Sequence, residues 1–268
     1  MGIATTIIAG IISEHGGEMK SVLKPVMIGV AMLLIWQLVV VIGNFPHYIL
    51  PSPQSVGLQL ISHFNLLWQH TKTTLLEIGV GLFFGFLCGL SSALLLSFSK
   101  KISTLLLPIL VISQAIPVFA IAPLLVLWFG YGMASKIVMS TLIIYFPVTA
   151  ACYDGLRNTP QTWLDLANTF QPSLLRLLLK VRLPAALPAF ASGLRIAVSV
   201  APIGAVVGEW IGSSQGLGYL MIHANARMQV DLMFAALLIL VGISLCLYFG
   251  IDWLLRRFIP WGNAIHSS

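Results

Sequence analysis

Six long apolar runs, almost free of charge, dominate this sequence. They fall at Pro25 to Phe45, Leu75 to Phe98, Ile102 to Gly130, Ile137 to Tyr153, Ala185 to Ile211 and Leu232 to Leu255. A helix needs about 20 apolar residues to cross the hydrocarbon core of a bilayer. Because that core offers the backbone no hydrogen-bond partners, runs of this kind must cross it as helices. The runs therefore predict an all-α integral membrane protein with six spans.

The composition supports this interpretation and excludes most soluble classes. Only 8% of the 268 residues are charged and 58% are hydrophobic, whereas soluble domains carry about 25% charged residues. The formal net charge of +6 is compatible with a nucleic-acid partner, but the basic residues are scattered over short loops and form no patch with interleaved aromatic residues. We expect a single membrane domain in contact with lipid, and no nucleic-acid partner.

The three cysteines show no pattern typical of a metal or redox site. Cys88, Cys152 and Cys246 lie far apart, each within or beside an apolar run, without a CxxC or a nearby His cluster. Isolated cysteines of this kind are mostly small buried hydrophobic residues. We expect this chain to bind no metal and to carry no catalytic residue.

The distribution of lysine and arginine predicts the orientation in the membrane. Of the 14 such residues, ten lie on one side of the predicted spans, whereas Lys72, Lys136 and Arg227 lie on the other side. Arg195, inside the fifth run, either reaches back to the membrane surface or pairs with Asp154 or Asp165. Cytoplasmic loops carry the excess of lysine and arginine. The ten are Lys20, Lys24, Lys100, Lys101, Arg157, Arg176, Lys180, Arg182, Arg256 and Arg257.

Both termini are therefore predicted to be cytoplasmic. We assign residues 1–24 to an N-terminal cytoplasmic segment, residues 25–258 to the transmembrane domain and residues 259–268 to a cytoplasmic tail. A large cytoplasmic loop at 154–184 interrupts the transmembrane domain. No small-residue cleavage site follows the first run, so it should remain as a span, and Met19 is an alternative start for translation.

Glycines recur every four residues in two of the runs. Gly81, Gly85 and Gly89 do so in the second run; Gly204, Gly208 and Gly212 do so in the fifth. Small residues at this spacing let two helix backbones approach closely within a membrane. We expect these two spans to be the central helices of the bundle, with flexible or kinked helices as the alternative.

Two further segments depart from straight spans. Pro108, Pro117 and Pro123 punctuate the third run, so it should not form one straight helix, and its segment Gln114 to Pro123 is expected to line a polar path. Before the second run, four apolar residues fall at helical spacing, which predicts a helix lying along the outer surface. These four are Val56, Leu60, Phe64 and Leu67.

The loop from Thr159 to Pro184 is a polar island in an otherwise apolar chain. Thr159 is a candidate N-cap and Pro160 suits a first helical position. Pro172 should end this helix and Ser173 should cap a second one, which carries Arg176 and Lys180 and ends at Leu183-Pro184. The apolar stripe of the first helix consists of Trp163, Leu166, Ala167 and Phe170. Such a helix either meets a soluble partner or rests on lipid headgroups.

This loop resembles the EAA loop of ABC importer permeases. Asp165-Leu166-Ala167, three residues, Gln171, nine residues and Val181-Arg182-Leu183-Pro184 keep the spacing of Glu-Ala-Ala, Gly and Ile-x-Leu-Pro in that family. Gln171 replaces the family's Gly, which leaves open how the tight turn forms, although Pro172 beside it offers another route. The likeness extends from about Leu50 to the C-terminus and includes Ile121-Ala-Pro-Leu-Leu-Val-Leu-Trp-Phe-Gly130 and Gly193-Leu-Arg195.

The resemblance implies a fold, a set of partners and a location. It implies the type I ABC importer permease fold with six transmembrane helices, placed in the bacterial inner membrane as a multi-pass subunit. The implied partners are a second copy of the chain, an ABC ATPase that uses ATP and Mg, and a periplasmic or lipid-anchored solute-binding protein. The implied coupling residues are Trp163, Asp165, Leu166, Ala167, Phe170, Gln171, Leu183 and Pro184.

Missing motifs agree with a chain that performs no chemistry itself. The phosphate-binding GxxxxGK[ST] is missing, so a separate subunit must hydrolyse ATP, and HExxH and GxSxG are missing as well. The opposing class is a secondary transporter or channel. That class would use ionisable residues in several spans or an inverted repeat, and the sequence shows few of the former and no evident repeat.

Polar and aromatic residues within the runs are candidates for the translocation path: Glu77, Gln114, Phe119, Glu209 and Trp210. Intramembrane carboxylates are costly and usually face a cavity or a partner. For Glu209 a structural alternative stays open, namely pairing with Arg227 or capping of backbone amides. The stretch Gly208 to Met221 is most similar to permeases for the hydroxymethylpyrimidine precursor of thiamine, and sulfonate, taurine or nitrate is the second candidate.

Overall fold

The computed structural model describes residues 27–98 and 100–259, apart from the side chain of Lys100. The predicted N-terminal segment 1–24 and all of the predicted tail after Ile259 lie outside the described residues. Within them the chain is helical, with short connections and no β-strand. The helices are α1 Met27–Gly43, α2 Pro53–Ser62, α3 Phe64–Phe98, α4 Lys100–Ala115, α5 Val118–Phe129, α6 Met133–Arg157, α7 Gln161–Asn168, α8 Leu174–Leu177, α9 Leu183–Gly212, α10 Leu217–Ala226 and α11 Val230–Phe258.

Each of the six predicted runs coincides with a helix or a helix pair in this part of the chain. Four helical stretches are long and apolar enough to cross a membrane: α3, α6, Leu174–Gly212 and α11. The third run forms α4 and α5, which are bent by 94° relative to each other. The first run contains the shorter apolar helix α1.

The bend between α4 and α5 confirms that the third run is not one straight helix. Pro117 lies at the bend, directly before α5, whereas Pro108 and Pro123 lie inside α4 and α5. A proline disfavours helical backbone at the residue before it. Only the middle proline of the three therefore interrupts the helical path.

The glycines of α3 form the close contact that their spacing predicts. A Cβ atom added at Gly81 would lie 2.5 Å from the Cβ of Ser140, and one added at Gly85 would lie 2.5 Å from the Cγ2 of Ile144. Real Cβ atoms do not approach so closely, so the two backbones can pack at this distance only because the residues are glycines.

The glycines of α9 approach α6 from another side. A Cβ atom added at Gly204 would lie 3.0 Å from the Cα of Ser140, and one added at Gly208 would lie 3.2 Å from the Cα of Lys136. The helix between the two glycine stripes is therefore α6. Both stripes therefore mark faces that pack on α6, and α9 in addition packs against α3, α5, α10 and α11.

The outer helix α2 packs one apolar side against neighbouring helices. Ser52 caps α2 by accepting a hydrogen bond from the backbone N–H of Ser55 at 3.2 Å. Val56 of α2 and Leu67 of α3 are buried in a cluster with Leu217 of α10 and with residues of α11. Val56 is the one buried residue of α2, so this helix keeps its other residues at least partly exposed and packs only its apolar side on this cluster.

Candidate functional site

An exposed apolar surface on α7 and the turn after it lies in the large cytoplasmic loop. Trp163, Leu166 and Phe170 are 48%, 65% and 79% exposed, respectively, and no residue of α7 is buried. These three side chains are called the cytoplasmic ridge below. The polar face of α7 is ordered by its own chain, since the Gln161 side-chain amide donates to Asp165 Oδ1 at 3.0 Å. The ridge is thus an apolar surface that this protomer leaves largely exposed.

The turn after α7 shows how the chain replaces the family's glycine. Gln171 adopts a φ of 47°, in the left-handed region that glycine enters without steric cost and other residues rarely adopt. The backbone N–H of Phe170 donates to Ala167 O at 3.1 Å, and that of Gln171 to Asn168 O at 3.0 Å. The tight turn is therefore kept at this position, with some strain in its backbone.

Two details of the loop differ from the sequence-based expectations. The Thr159 hydroxyl donates backwards to Leu156 O at 3.1 Å and caps no helix, since Pro160 occupies the position before α7. Leu183-Pro184 does not end the second helix: the chain passes from α8 through a π-helical turn at Leu178–Arg182 directly into α9. Such a widened turn accommodates a proline ring that would clash with the carbonyl four residues earlier.

A cluster of buried polar side chains lies at the opposite, outer end of the molecule. Glu209 of α9 is only 1% exposed. Its Oε1 atom accepts from the Thr74 hydroxyl at 2.6 Å, and its Oε2 atom accepts from the backbone N–H of Gly218 at 2.5 Å. Thr74 in turn accepts from the backbone N–H of Leu217 at 2.8 Å. Glu209 and Thr74 thus hold the first turn of α10 against α3 and α9.

A buried ion pair lies beside Glu209. Lys136 Nζ donates to Glu77 Oε1 at 2.6 Å and to Ser213 Oγ at 2.9 Å, and Glu77 and Lys136 are 0% and 5% exposed. Sequence reasoning had placed Lys136 in an external loop, whereas it lies in the first turn of α6. We call Thr74, Glu77, Lys136 and Glu209 the outer polar cluster.

The structure separates the five path candidates into two groups. Glu77 and Glu209 are buried within the protomer, whereas Gln114, Phe119 and Trp210 are exposed on it. Both Glu209 oxygens accept hydrogen bonds from this chain, which favours the alternative that this carboxylate caps backbone amides. No hydrogen bond or ion pair joins Glu209 to Arg227 among the described residues.

Residues of the outer turn surround a small cavity near this cluster. The rings of Tyr219 and His223 are 4.1 Å apart, and those of His70 and Tyr219 are 6.0 Å apart. With Arg227 they line a cavity of about 310 Å³. Among the described residues, His, Cys, Asp and Glu nowhere form a group of three that could hold a metal ion.

Arg195 has a partner that sequence reasoning missed. Its Nε atom donates to Asp252 Oδ1 at 2.6 Å, and Arg256 Nε donates to Asp252 Oδ2 at 2.7 Å. The expected partners, Asp154 and Asp165, are therefore wrong, because α11 brings Asp252 beside α9. An arginine within a span indicates that a carboxylate lies nearby in the folded protein. Which carboxylate it is can be read only from the three-dimensional structure.

Taken together, the helical bundle, the close packing around α6 and the uncovered cytoplasmic ridge define a multi-span membrane transport subunit. Residues 81–260 match the family model of the binding-protein-dependent transport system inner membrane component. The chain belongs to this family. It is the permease subunit of an ABC importer, an inner-membrane protein that is not itself an enzyme, and a separate subunit carries the ATPase.

Relatives over almost the whole chain agree with this assignment. A probable ABC transporter permease protein of Haemophilus influenzae is 82% identical, covering 88% of this chain and 97% of that protein. The formylaminopyrimidine transport permease protein ThiX of Halalkalibacterium halodurans is 35% identical, covering 89% of this chain and 96% of that protein.

Other relatives are named for different solutes. The riboflavin transport system permease protein RibX of Chloroflexus aurantiacus is 36% identical, covering 86% of this chain and 87% of that protein. A putative aliphatic sulfonates transport permease protein, SsuC of Bacillus subtilis, is 31% identical, covering 92% of this chain and 89% of that protein. Family membership thus leaves the solute undetermined.

A solved structure shares the fold. The chain resembles one from a structure titled inward facing conformations of the MetNI methionine ABC transporter, with a TM-score of 0.64 and 22% identity, covering 73% of this chain and 97% of that one. At this identity the likeness concerns the fold alone. It confirms the type I importer permease fold that the sequence predicts.

Proposed function

We propose that this permease imports hydroxymethylpyrimidine or a closely related aminopyrimidine. The observation that carries the proposal is the 35% identity to a permease named for formylaminopyrimidine over 89% of this chain. Another relative is named for riboflavin, which is also a nitrogen heteroaromatic compound. The aliphatic sulfonate relative, at 31% identity, supports the second candidate.

The exposed path candidates suit a heteroaromatic solute. Trp210 and Phe119 offer aromatic faces on which a flat ring can stack, and the Gln114 side-chain amide offers both a hydrogen-bond donor and an acceptor. All three are exposed on the single protomer. We propose that a second copy of the chain covers these three side chains, so that the path runs between the two copies, while Glu77 and Glu209 hold its outer frame.

The cytoplasmic ridge is the proposed docking surface for the ATPase. Exposed Trp and Phe side chains are typical of residues that dominate protein interfaces. In this proposal Trp163, Asp165, Leu166, Ala167, Phe170 and Gln171 contact the ATPase directly, and Leu183 and Pro184 connect the loop to α9. The partner uses ATP and Mg, and this chain binds neither. A periplasmic or lipid-anchored binding protein delivers the solute at the outer end.

Uptake by the reconstituted complex tests the proposed solute. The permease, its ATPase and its binding protein are placed in proteoliposomes, and ATP-dependent uptake of labelled hydroxymethylpyrimidine is measured against taurine and nitrate. We expect the pyrimidine to be preferred, and Trp210→Ala to reduce its uptake by about tenfold, the effect of losing one good aromatic contact.

Trp253→Ala is the matched control, because Trp253 is also exposed but lies on α11. Its uptake should match the wild type. Preference for taurine or nitrate would contradict the solute and leave the permease assignment intact. Equal uptake by Trp210→Ala and the wild type would contradict the path.

A further inference from the structure

A partly open cavity lies at the cytoplasmic ends of the spans, at the opposite end from the outer polar cluster, and no residue of the cytoplasmic ridge lines it. Its volume is about 640 Å³. Residues from the end of α3, the first turns of α4, the end of α6, and α8 with the π-helical turn surround it. It therefore joins the corner between α3 and α4 to the segment that follows α7.

The lining of this cavity carries positive charge. Arg157 and Arg182 both line it, and among the described residues no aspartate or glutamate does. Within the described residues, the Nε atom of Arg182 is buried and has no hydrogen-bond partner. Since a guanidinium is charged at all physiological pH values and its donors match phosphate oxygens in a fork, this arrangement suits a phosphate group.

The cavity also has many apolar lining residues. Leu96, Leu107 and Leu177 are among them, and we call these its apolar wall. The cavity lies at the ends of membrane-spanning helices on the side that carries the excess of lysine and arginine, which is the level of the inner-leaflet headgroups. Basic pockets between transmembrane helices on the cytoplasmic side are typical sites for anionic lipid headgroups. A small soluble anion would leave the apolar wall without a partner.

We propose that this cavity binds an anionic phospholipid of the inner leaflet. Arg157 and Arg182 bind the phosphate, and an acyl chain packs against the leucines of the wall. Bound there, the lipid connects the corner between α3 and α4 to α8, and so stabilises the loop that carries the cytoplasmic ridge. Anionic lipid thus supports coupling to the ATPase without contacting the ATPase.

Lipid retention by the purified transporter tests the proposal. The complex of permease and ATPase is purified in a neutral detergent, phosphatidylglycerol or phosphatidylcholine is added back, and bound lipid is counted by native mass spectrometry. We expect the wild type to bind phosphatidylglycerol more tightly than phosphatidylcholine. We expect the double variant Arg157→Gln, Arg182→Gln to lose about tenfold or more of this affinity.

The double variant Arg176→Gln, Lys180→Gln is the matched control. It removes two positive charges from the same loop, and neither residue lines the cavity, so it should retain phosphatidylglycerol like the wild type. Equal loss in both double variants would show a general surface-charge effect and overturn the site. If the first double variant unfolds, the wild-type comparison still decides: equal affinity for the two lipids would overturn the proposal.

The source of the phosphate is tested separately. Inorganic phosphate is added to the wild type in nanodiscs of pure phosphatidylcholine, and the shift in thermal unfolding is compared with that caused by phosphatidylglycerol. We expect only the lipid to raise the unfolding temperature and the ATPase rate. An equal shift with inorganic phosphate would overturn the lipid as the occupant of this cavity.

Discussion

The two ends of the molecule differ in which side chains they bury: the outer end buries charged side chains, and the cytoplasmic end exposes large apolar ones. At the outer end, a lysine and two glutamates are buried, and Lys136 and Glu209 each have two hydrogen-bond partners within the same chain. At the cytoplasmic end, Trp163 and Phe170 are exposed. Charged residues are rarely fully buried unless paired, and a large apolar patch is rarely left exposed on a complete protein.

The difference shows which end the chain completes by itself. The outer polar cluster fixes α10 against α3 and α9 through contacts within one protomer, so the outer end is structurally closed. The side chains of the cytoplasmic ridge are largely exposed, and in our proposal another subunit completes the inner end. Damage at the outer end should therefore lower the stability of the permease, whereas damage at the inner end should lower only its association with the ATPase.

The largest effect is expected from Lys136→Ala. This change removes the partner of Glu77, which is fully buried, and an unpaired buried charge destabilises a protein by about 3–5 kcal/mol. The thermal unfolding temperature of the purified permease should fall sharply. A double variant, Glu77→Leu with Lys136→Met, replaces the pair by apolar side chains of similar size and should recover most of the loss. If Lys136→Ala unfolds like the wild type, the outer end does not depend on this pair.

An intermediate effect is expected at the cytoplasmic ridge. The variant Trp163→Ala with Phe170→Ala should weaken binding of the ATPase by about 2 kcal/mol for each side chain, because exposed aromatic rings of this kind dominate interfaces. Both rings are largely exposed in the protomer, so they contribute little to its own packing. The unfolding temperature of the isolated permease should stay unchanged. Affinity is measured by titrating the ATPase onto the permease in nanodiscs.

Phe258→Ala provides the control for the ridge. Phe258 is 70% exposed at the cytoplasmic end of α11 and lies outside α7, so its removal should leave ATPase affinity intact. The ridge variant could instead unfold at a lower temperature and bind the ATPase as tightly as the wild type. That result would contradict the proposed difference between the two ends.

The smallest effect is expected from Gln171→Gly. The φ of 47° at this position costs a non-glycine residue about 1 kcal/mol or more. Glycine removes this cost, but its greater freedom in the unfolded chain offsets part of the gain in stability. We expect a slight gain in the protection of loop amides from hydrogen exchange, with no loss of uptake. Reduced protection would indicate that the Gln171 side chain stabilises the turn by contacts of its own.

The sequence predicted the features that depend on neighbouring residues in one helix, and it did not predict the contacts between distant segments. Features that depend on spacing along one helix were predictable: the glycine stripes of α3 and α9, the apolar stripe of α7, and the break near Pro117. Their physical signal is local, since side chains four residues apart lie on one helix face. The lengths of four of the apolar runs likewise predicted helices that are long enough to cross a membrane, whereas the third run forms a bent pair.

Contacts between distant segments were not predictable. Glu77 and Lys136 are 59 residues apart and Arg195 and Asp252 are 57 apart, and no local pattern connects them. Lys136 in particular was assigned to a loop because the apolar run begins after it. Its burial became visible only when α3 and α9 were placed against α6. The path candidates are still predictions, although their exposure now favours Gln114, Phe119 and Trp210 over the two carboxylates.

Site-specific photo-crosslinking tests the central claim most directly, namely that the cytoplasmic ridge is completed by a separate ATPase. A photoreactive amino acid replaces Leu166, which lies between the two aromatic residues of the ridge, and in parallel Phe258. The complete transporter is illuminated in nanodiscs, and its crosslinked products are identified by mass. We predict that position 166 crosslinks to the ATPase subunit and that position 258 does not. Crosslinking of position 166 to lipid alone would contradict the account and identify α7 as a helix that rests on the membrane surface.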